Sequence, residues 1–317
     1  MDDKNNDTNN QMDNELLKHI QEEEAKNKQV VDEDVEINNQ EVITSDRTTE
    51  LSFFDFPTDN FPCGAYYPTG SVICIRPAQV REVQAYSASD ENNTFDVVNR
   101  MNDIIQSCVR LKLPDGTIKT YLDIKDQDRI AILFTLRDLT FQARNRLSYY
   151  VSCDCGNEVE MEIKRENFVF YEMDEDLVKY FNNSSKTFQF NLKNGKTFEL
   201  CPPNIGIEKV FADYVLKEHN EGRKPNMSYL KIVPYLLKGR NTITYDGIRA
   251  KLKEFESLDM MSYQFLMGAV DKMKMGIKEL RTICPQCGAE VRTEMQIPNG
   301  FSNLFTISDA FTRYSQD

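Results

Sequence analysis

From residue 51 onward the chain switches repeatedly between helical and strand-like hydrophobic spacing. Residues 95–111 carry apolar side chains at Phe95, Val98, Met101, Ile104, Ile105, Cys108 and Val109, the three-and-four spacing of one helix face. Residues 127–147 repeat this spacing with Ile130, Leu133, Phe134, Leu136 and Phe141, behind Asp126 as the predicted N-cap. Arg137 and Arg144 interrupt that face, where an arginine snorkels or pairs with a carboxylate. Helical spacing returns over 207–219, 228–238, 246–255 and 259–275. Between these lie strand-like runs. Phe188–Leu200 alternates on both sides of Asn194-Gly195, a pair preferred in two-residue type I′ hairpins. Tyr149–Cys153 and Glu158–Ile163 also read as strands, and Pro68-Thr69-Gly70 turns between two more over Phe61–Pro77.

Residues 1–50 have neither period. They contain no aromatic residue, no Gly and no Pro. Fifteen acidic and five basic side chains give them a net −10 against −13 for the whole chain, so the remainder carries only −3. Such a stretch buries too little apolar surface to offset chain entropy, and reads as a disordered arm or one that orders on a partner. Leu16, Leu17 and Ile20 allow one short amphipathic helix within it. Four segments follow: the acidic arm (1–50), an α+β region (51–206), a helical region (207–282) and a C-terminal segment (283–317).

The chemistry lies in the cysteines. Cys153-Asp154-Cys155-Gly156 closes one predicted strand and precedes another, and Cys284-Pro285-Gln286-Cys287-Gly288 is followed by a similar run. Two such knuckles supply the four thiolates that structural Zn²⁺ takes in a closed tetrahedron. Cys153, Cys155, Cys284 and Cys287 are therefore the candidate metal ligands. The predicted fold class is α+β: hairpins and helices around a split, zinc-ribbon-like four-cysteine site, with a helical insertion between the knuckles. Cys63, Cys74, Cys108 and Cys201 lack a nearby partner cysteine and read as core or solvent-facing thiols.

The remaining inventory excludes much. Only two histidines are present, His19 and His219, which leaves little for a histidine base, a triad or a catalytic zinc site. No Gly-rich phosphate loop appears. The opening Met1-Asp2-Asp3-Lys4-Asn5 is unlike a secretory signal, and no apolar run is long enough to span a membrane, so synthesis in a reducing cytoplasm is expected. The near-neutral body argues against a nucleic-acid footprint.

One further pattern joins these parts. It begins with the strand Ile73-Cys74-Ile75-Arg76-Pro77 and the helix ending Ile104-Ile105-Gln106-Ser107-Cys108. Asp123–Arg129 then leads into Ile132–Phe141, followed by the first knuckle, the hairpin, the helical stretch and the second knuckle. Asn299-Gly300-Phe301-Ser302-Asn303-Leu304-Phe305 closes it. Over roughly residues 60–310 this order resembles the baseplate hub subunit family of T-even-type contractile-tailed bacteriophages. Two features depart from it: the polar stretch Gln84–Asn93 and the tight first knuckle. The resemblance implies a non-enzymatic structural or assembly subunit of the virion tail baseplate, made in the host cytoplasm. It implies partners among tube, spike or tape-measure proteins, and no membrane. Phe53, Phe54, Phe56, Met273, Met275 and Phe301 are the candidate partner contacts, each with an intramolecular core role as the alternative. The competing reading is a zinc-ribbon regulatory protein that binds nucleic acid, against which stand the glutamates flanking both knuckles.

Overall fold

Aromatic and β-branched residues after position 52 build the first sheet of the computed structural model. β1 (Phe54–Pro57), β2 (Val72–Ile75), β3 (Val109–Lys112) and β4 (Ile118–Lys119) run antiparallel in that order. The structure describes residues 52–305, apart from 142–146, 194, 225–226, 237–243, 299 and 303. The acidic arm and Arg144 thus lie outside the described residues. Register sets Phe54, Ile75 and Val109 on one face of the sheet, with Phe56, Ile73 and Leu111 beside them. Ile73, Ile75, Val109 and Leu111 are buried.

Two helices join β2 to β3. α1 (Val80–Ser87), which takes in the first part of the polar stretch noted above, is started by a reciprocal cap between Gln79 and Glu82 and buries Tyr86. α2 (Thr94–Cys108) is capped by the Asn93 side chain and buries Val97, Met101, Ile104, Ile105 and Cys108. It is shorter than its apolar spacing predicts. Val109 leaves the helix to pair with Ile75, and Phe95 is exposed at the first turn.

α3 (Arg129–Phe141) is the central helix, with every residue from Ala131 to Arg137 buried. Asp126 is not its N-cap. Asp126–Asp128 form a 3-10 turn ahead of the helix, which aims the buried Asp128 carboxylate inward. Its two oxygens accept from the Cys63 N–H (2.8 Å) and the Tyr67 hydroxyl (2.7 Å).

β5 (Ser148–Ser152) and β6 (Glu158–Glu162) form a hairpin, followed by β7 (Phe168–Phe170) and the short α4 (Glu175–Val178). β8 (Phe181–Asn182), β9 (Thr187–Asn191) and β10 (Thr197–Leu200) make a second sheet. The hairpin at Gly195 is not the predicted two-residue turn. The Leu192 N–H donates to the Lys196 carbonyl, and the Gly195 N–H closes a tighter turn on the Leu192 carbonyl. Gly195 has φ +81°, so the connection is a three-residue loop with glycine in the left-handed position.

The helical stretch comprises α5 (Ile205–Asn220), α6 (Met227–Leu230), α7 (Val233–Leu236), α8 (Tyr245–Glu256) and α9 (Met260–Lys272). The helix predicted over 228–238 is two short turns as far as it is described. Pro234 has no N–H to give the Leu230 carbonyl, and the chain tightens into i→i+3 bonds at Ile232 and Tyr235. α9 ends at Lys272, before Met273 and Met275, and β11 (Ile277–Ile283) follows, a strand that the sequence reading passes over. β12 (Glu290–Thr293) completes a third sheet in the order β12-β11-β7.

Residues 51–317 form one unit. Its main core draws on residues from Phe61 to Phe305, so the segments 51–206, 207–282 and 283–317 share it. Leu304 and Phe305 dock on the body, where the Arg137 Nε donates to the Leu304 carbonyl at 2.7 Å. Phe305 lies edge-on to Tyr86 at 5.0 Å. Among the described residues, no helix is long and apolar enough to cross a membrane.

Candidate metal centre

Two antiparallel hairpins deliver the four cysteines. β5 runs into Cys153 and β6 leads away, with Ser152 opposite Glu158. β11 runs into Cys284 and β12 leads away, with Ile283 opposite Glu290. Each turn closes in the same way. The Cys153 N–H donates to the Asn157 carbonyl at 2.9 Å, and the Gly156 N–H returns to the Cys153 carbonyl at 2.8 Å. In the second knuckle, the Cys284 N–H donates to the Ala289 carbonyl at 2.8 Å, and the Gly288 N–H returns to the Cys284 carbonyl at 2.9 Å. The glycines have φ +85° and +73°, and an added Cβ would touch nothing. Backbone conformation, not space, requires glycine there.

The four sulfur atoms lie within 4.8 Å of one another. Cys153 and Cys287 approach to 3.6 Å, and Cys155 and Cys284 to 3.7 Å, so both close pairs run between the knuckles. Cys153 and Cys284 are buried, and Cys155 and Cys287 are exposed. Beneath them Val151, Val159 and Val291 pack with the two buried cysteines into a small apolar cluster apart from the main core. The Tyr149 hydroxyl donates to the Glu294 carbonyl at 2.8 Å, tying the first hairpin to the chain beyond the second. β11 anchors the centre to the body through β7, with Leu280 opposite Phe168, both buried.

The backbone already favours charge on one sulfur. The N–H of Cys287, and after burial opposes it that of Gln286, draw the Cys284 thiol down to about 6. The other three thiols are held above their ordinary value. In each a backbone N–H (of Cys155, Asn157 and Ala289 respectively) pulls downward, and burial with hydrogen bonding among the sulfurs outweighs it. Four converging thiols with one poised to ionise can hold a metal ion, and coordination by all four leaves no position for a water.

The other candidate residues do not converge. Phe53 and Phe54 are exposed, at 43% and 48%. Phe56 is half-buried, with the Arg165 guanidinium 5.6 Å from its ring centre. Met275 and Phe301 are half-buried against the main core. Met273 is a correction: it is a core residue. Its N–H ends α9 on the Ala269 and Val270 carbonyls, and its side chain is buried. The exposed apolar residues of α9 are instead Met260, Met261 and Phe265. Phe265 borders an open groove of about 390 Å³ with Tyr180, Phe190 and Gly268. The buried side of this helix is Ser262, Leu266 and Ala269, a spacing that the methionine count hides. His219 is exposed on α5, and His19 lies outside the described residues.

No protein-family model, no curated protein and no solved structure matches this chain.

Proposed function

We propose that the chain is a non-enzymatic structural or assembly subunit of a tailed-bacteriophage baseplate hub, and that Zn²⁺ in the four-cysteine cage holds its two halves together. The observation that carries the zinc assignment is the sulfur spacing. A Zn–S bond of about 2.3 Å gives a tetrahedron with edges of about 3.8 Å. The close pairs here stand at 3.6 and 3.7 Å. A thiolate-only set suits zinc better than hard cations that prefer oxygen. When bound, the ion supplies a cross-link and no chemistry. The cysteines orient one another through their turns, and the valine floor keeps water from below.

The baseplate assignment rests on the order of motifs from Ile73 to Phe305 and on the positional role of such a cross-link. The partners would be tube, spike or tape-measure proteins. The exposed Phe53 and Phe54 are the contacts of the original set that remain available to them. The nucleic-acid reading is disfavoured by charge. Glu158, Glu160 and Glu290 are exposed beside the knuckles, and Arg292 is paired with Glu279 and Glu290.

The deciding experiment has two parts. Protein purified without chelator should carry about one zinc per chain, and its melting temperature should fall when a strong chelator removes the metal. Co-expression with tail proteins encoded beside it should give co-elution. A chain that stays alone and binds heparin in a salt-sensitive way supports the nucleic-acid reading instead.

A further inference from the structure

We infer that the cage is also an oxidation site: it exchanges its metal for two disulfides running between the knuckles, Cys153–Cys287 and Cys155–Cys284, so that the halves stay joined when the metal leaves. The metal part rests on the zinc reading above; the disulfide pattern rests on the sulfur geometry alone. Each close pair joins an exposed sulfur of one knuckle to a buried sulfur of the other. The exposed member is open to a soluble oxidant. The buried member, seated on Val151, Val159 and Val291, is shielded from it yet lies within contact of its partner. Each turn is closed by its own glycine N–H, which keeps the two thiols of one knuckle facing the opposite knuckle.

The oxidant is a hydroperoxide. The exposed sulfur, on Cys287 or Cys155 and deprotonated when it serves as a metal ligand, attacks the terminal peroxide oxygen. The S–O bond forms, the O–O bond breaks, and the alkoxide or hydroxide leaves with a proton from water. The sulfur is now a sulfenic acid. The buried partner thiolate, on Cys153 or Cys284, attacks that sulfur, so the S–S bond forms and hydroxide departs to be protonated. Each disulfide passes two electrons to one peroxide. Formation of both consumes all four thiolates, and the metal is released as the free ion. Both disulfides span the interval that the cage spans, 134 and 129 residues. Loop closure is therefore kept. The loosened state is the one that is both reduced and metal-free.

The test uses the full chain, reduced and zinc-loaded, titrated with hydrogen peroxide. Free zinc is read with a chromogenic chelator, and disulfides are mapped by non-reducing peptide mass spectrometry. The expected result is loss of four thiols in step with zinc release, and peptides joining Cys153 to Cys287 and Cys155 to Cys284. Buried Cys63, Cys74 and Cys108 remain free thiols and serve as the internal control. The oxidised, metal-free chain melts above the reduced, metal-free chain, and dithiothreitol with zinc restores the start. Cys287→Ser removes the first disulfide and keeps the second; if that variant does not fold, the wild-type map decides. Disulfides within a knuckle, disulfides between chains, or thiols that survive with zinc retained overturn the proposal. A chain that never takes zinc defeats the zinc reading only, because the same map on the metal-free chain still decides the disulfide pattern.

Discussion

The Arg137 Nε donates to the Leu304 carbonyl at 2.7 Å, joining the centre of α3 to a segment 167 residues later. Arg137 is among the largest fully buried side chains, and its guanidinium also lies 5.6 Å from the Phe141 ring centre. A charge so deep is kept by its hydrogen bonds, so their loss is felt at both ends. Arg137→Met keeps most of the volume and strands the carbonyl. We expect a loss of about 1–3 kcal/mol in urea unfolding. Faster hydrogen exchange around Leu304 and Phe305 should accompany it, and unchanged exchange there would disprove the link.

Gly288 separates conformational from steric demand. Its φ of +73° suits glycine, and no atom would meet an added Cβ. Gly288→Ala should therefore cost about 1–2 kcal/mol through backbone strain alone. Gly288→Asn should recover part of that, since asparagine tolerates the left-handed region. Melting of the two variants, ranked against wild type, checks this order.

Acid should stabilise part of the body. Burial, ahead of the opposing bonds from Tyr67 and the Cys63 backbone, pushes the Asp128 carboxyl up to about 7. Burial likewise raises Asp126 and Asp138 to about 6. In the unfolded chain such groups ionise near pH 4, at about 3.9. Between there and about pH 7 these three carboxyls keep protons in the folded chain that they have lost in the unfolded chain, so their contribution to stability falls as pH rises through that window. Asp128→Asn should flatten the upper part of this slope. Unfolding of the reduced, metal-free chain across the window, wild type against variant, reads it without the thiol–metal equilibrium.

Neighbouring aromatics on β1 should respond differently. Phe54 is 48% exposed, and Phe54→Ser should change stability by no more than about 0.5 kcal/mol. Phe56, on the same face but opposite Ile73, is half-buried under the Arg165 guanidinium, and Phe56→Ser should cost about 1–2 kcal/mol. Equal losses at both sites would show that Phe54 is as much a part of the body as Phe56.

The four-cysteine site is legible in the sequence because it is local twice over. A turn of two thiols and a glycine carries its own geometry, and two such turns invite a shared site. Cys153, Cys155, Cys284 and Cys287 do converge, and Tyr149–Cys153 and Glu158–Ile163 do frame the first knuckle. What is hidden depends on partners distant in sequence. β11 carries both apolar and charged residues and becomes a strand by lying between β7 and β12. Val109 extends a helical pattern but is claimed by Ile75. Met273 looks like one more methionine of a helix until α9 stops one residue earlier. Asp128 gives no sign in sequence of being buried, because its partners Cys63 and Tyr67 lie over sixty residues away.

The distance between the knuckles also sets an order of events during synthesis. Cys155 and Cys284 are separated by 129 residues. A ribosome adds about 5–20 residues per second, so the first knuckle waits on the order of ten seconds for the second to emerge. A prematurely terminated chain that lacks Cys284 and Cys287 cannot assemble the site at all. Convergence of the four thiols is therefore possible only once translation has passed the second knuckle.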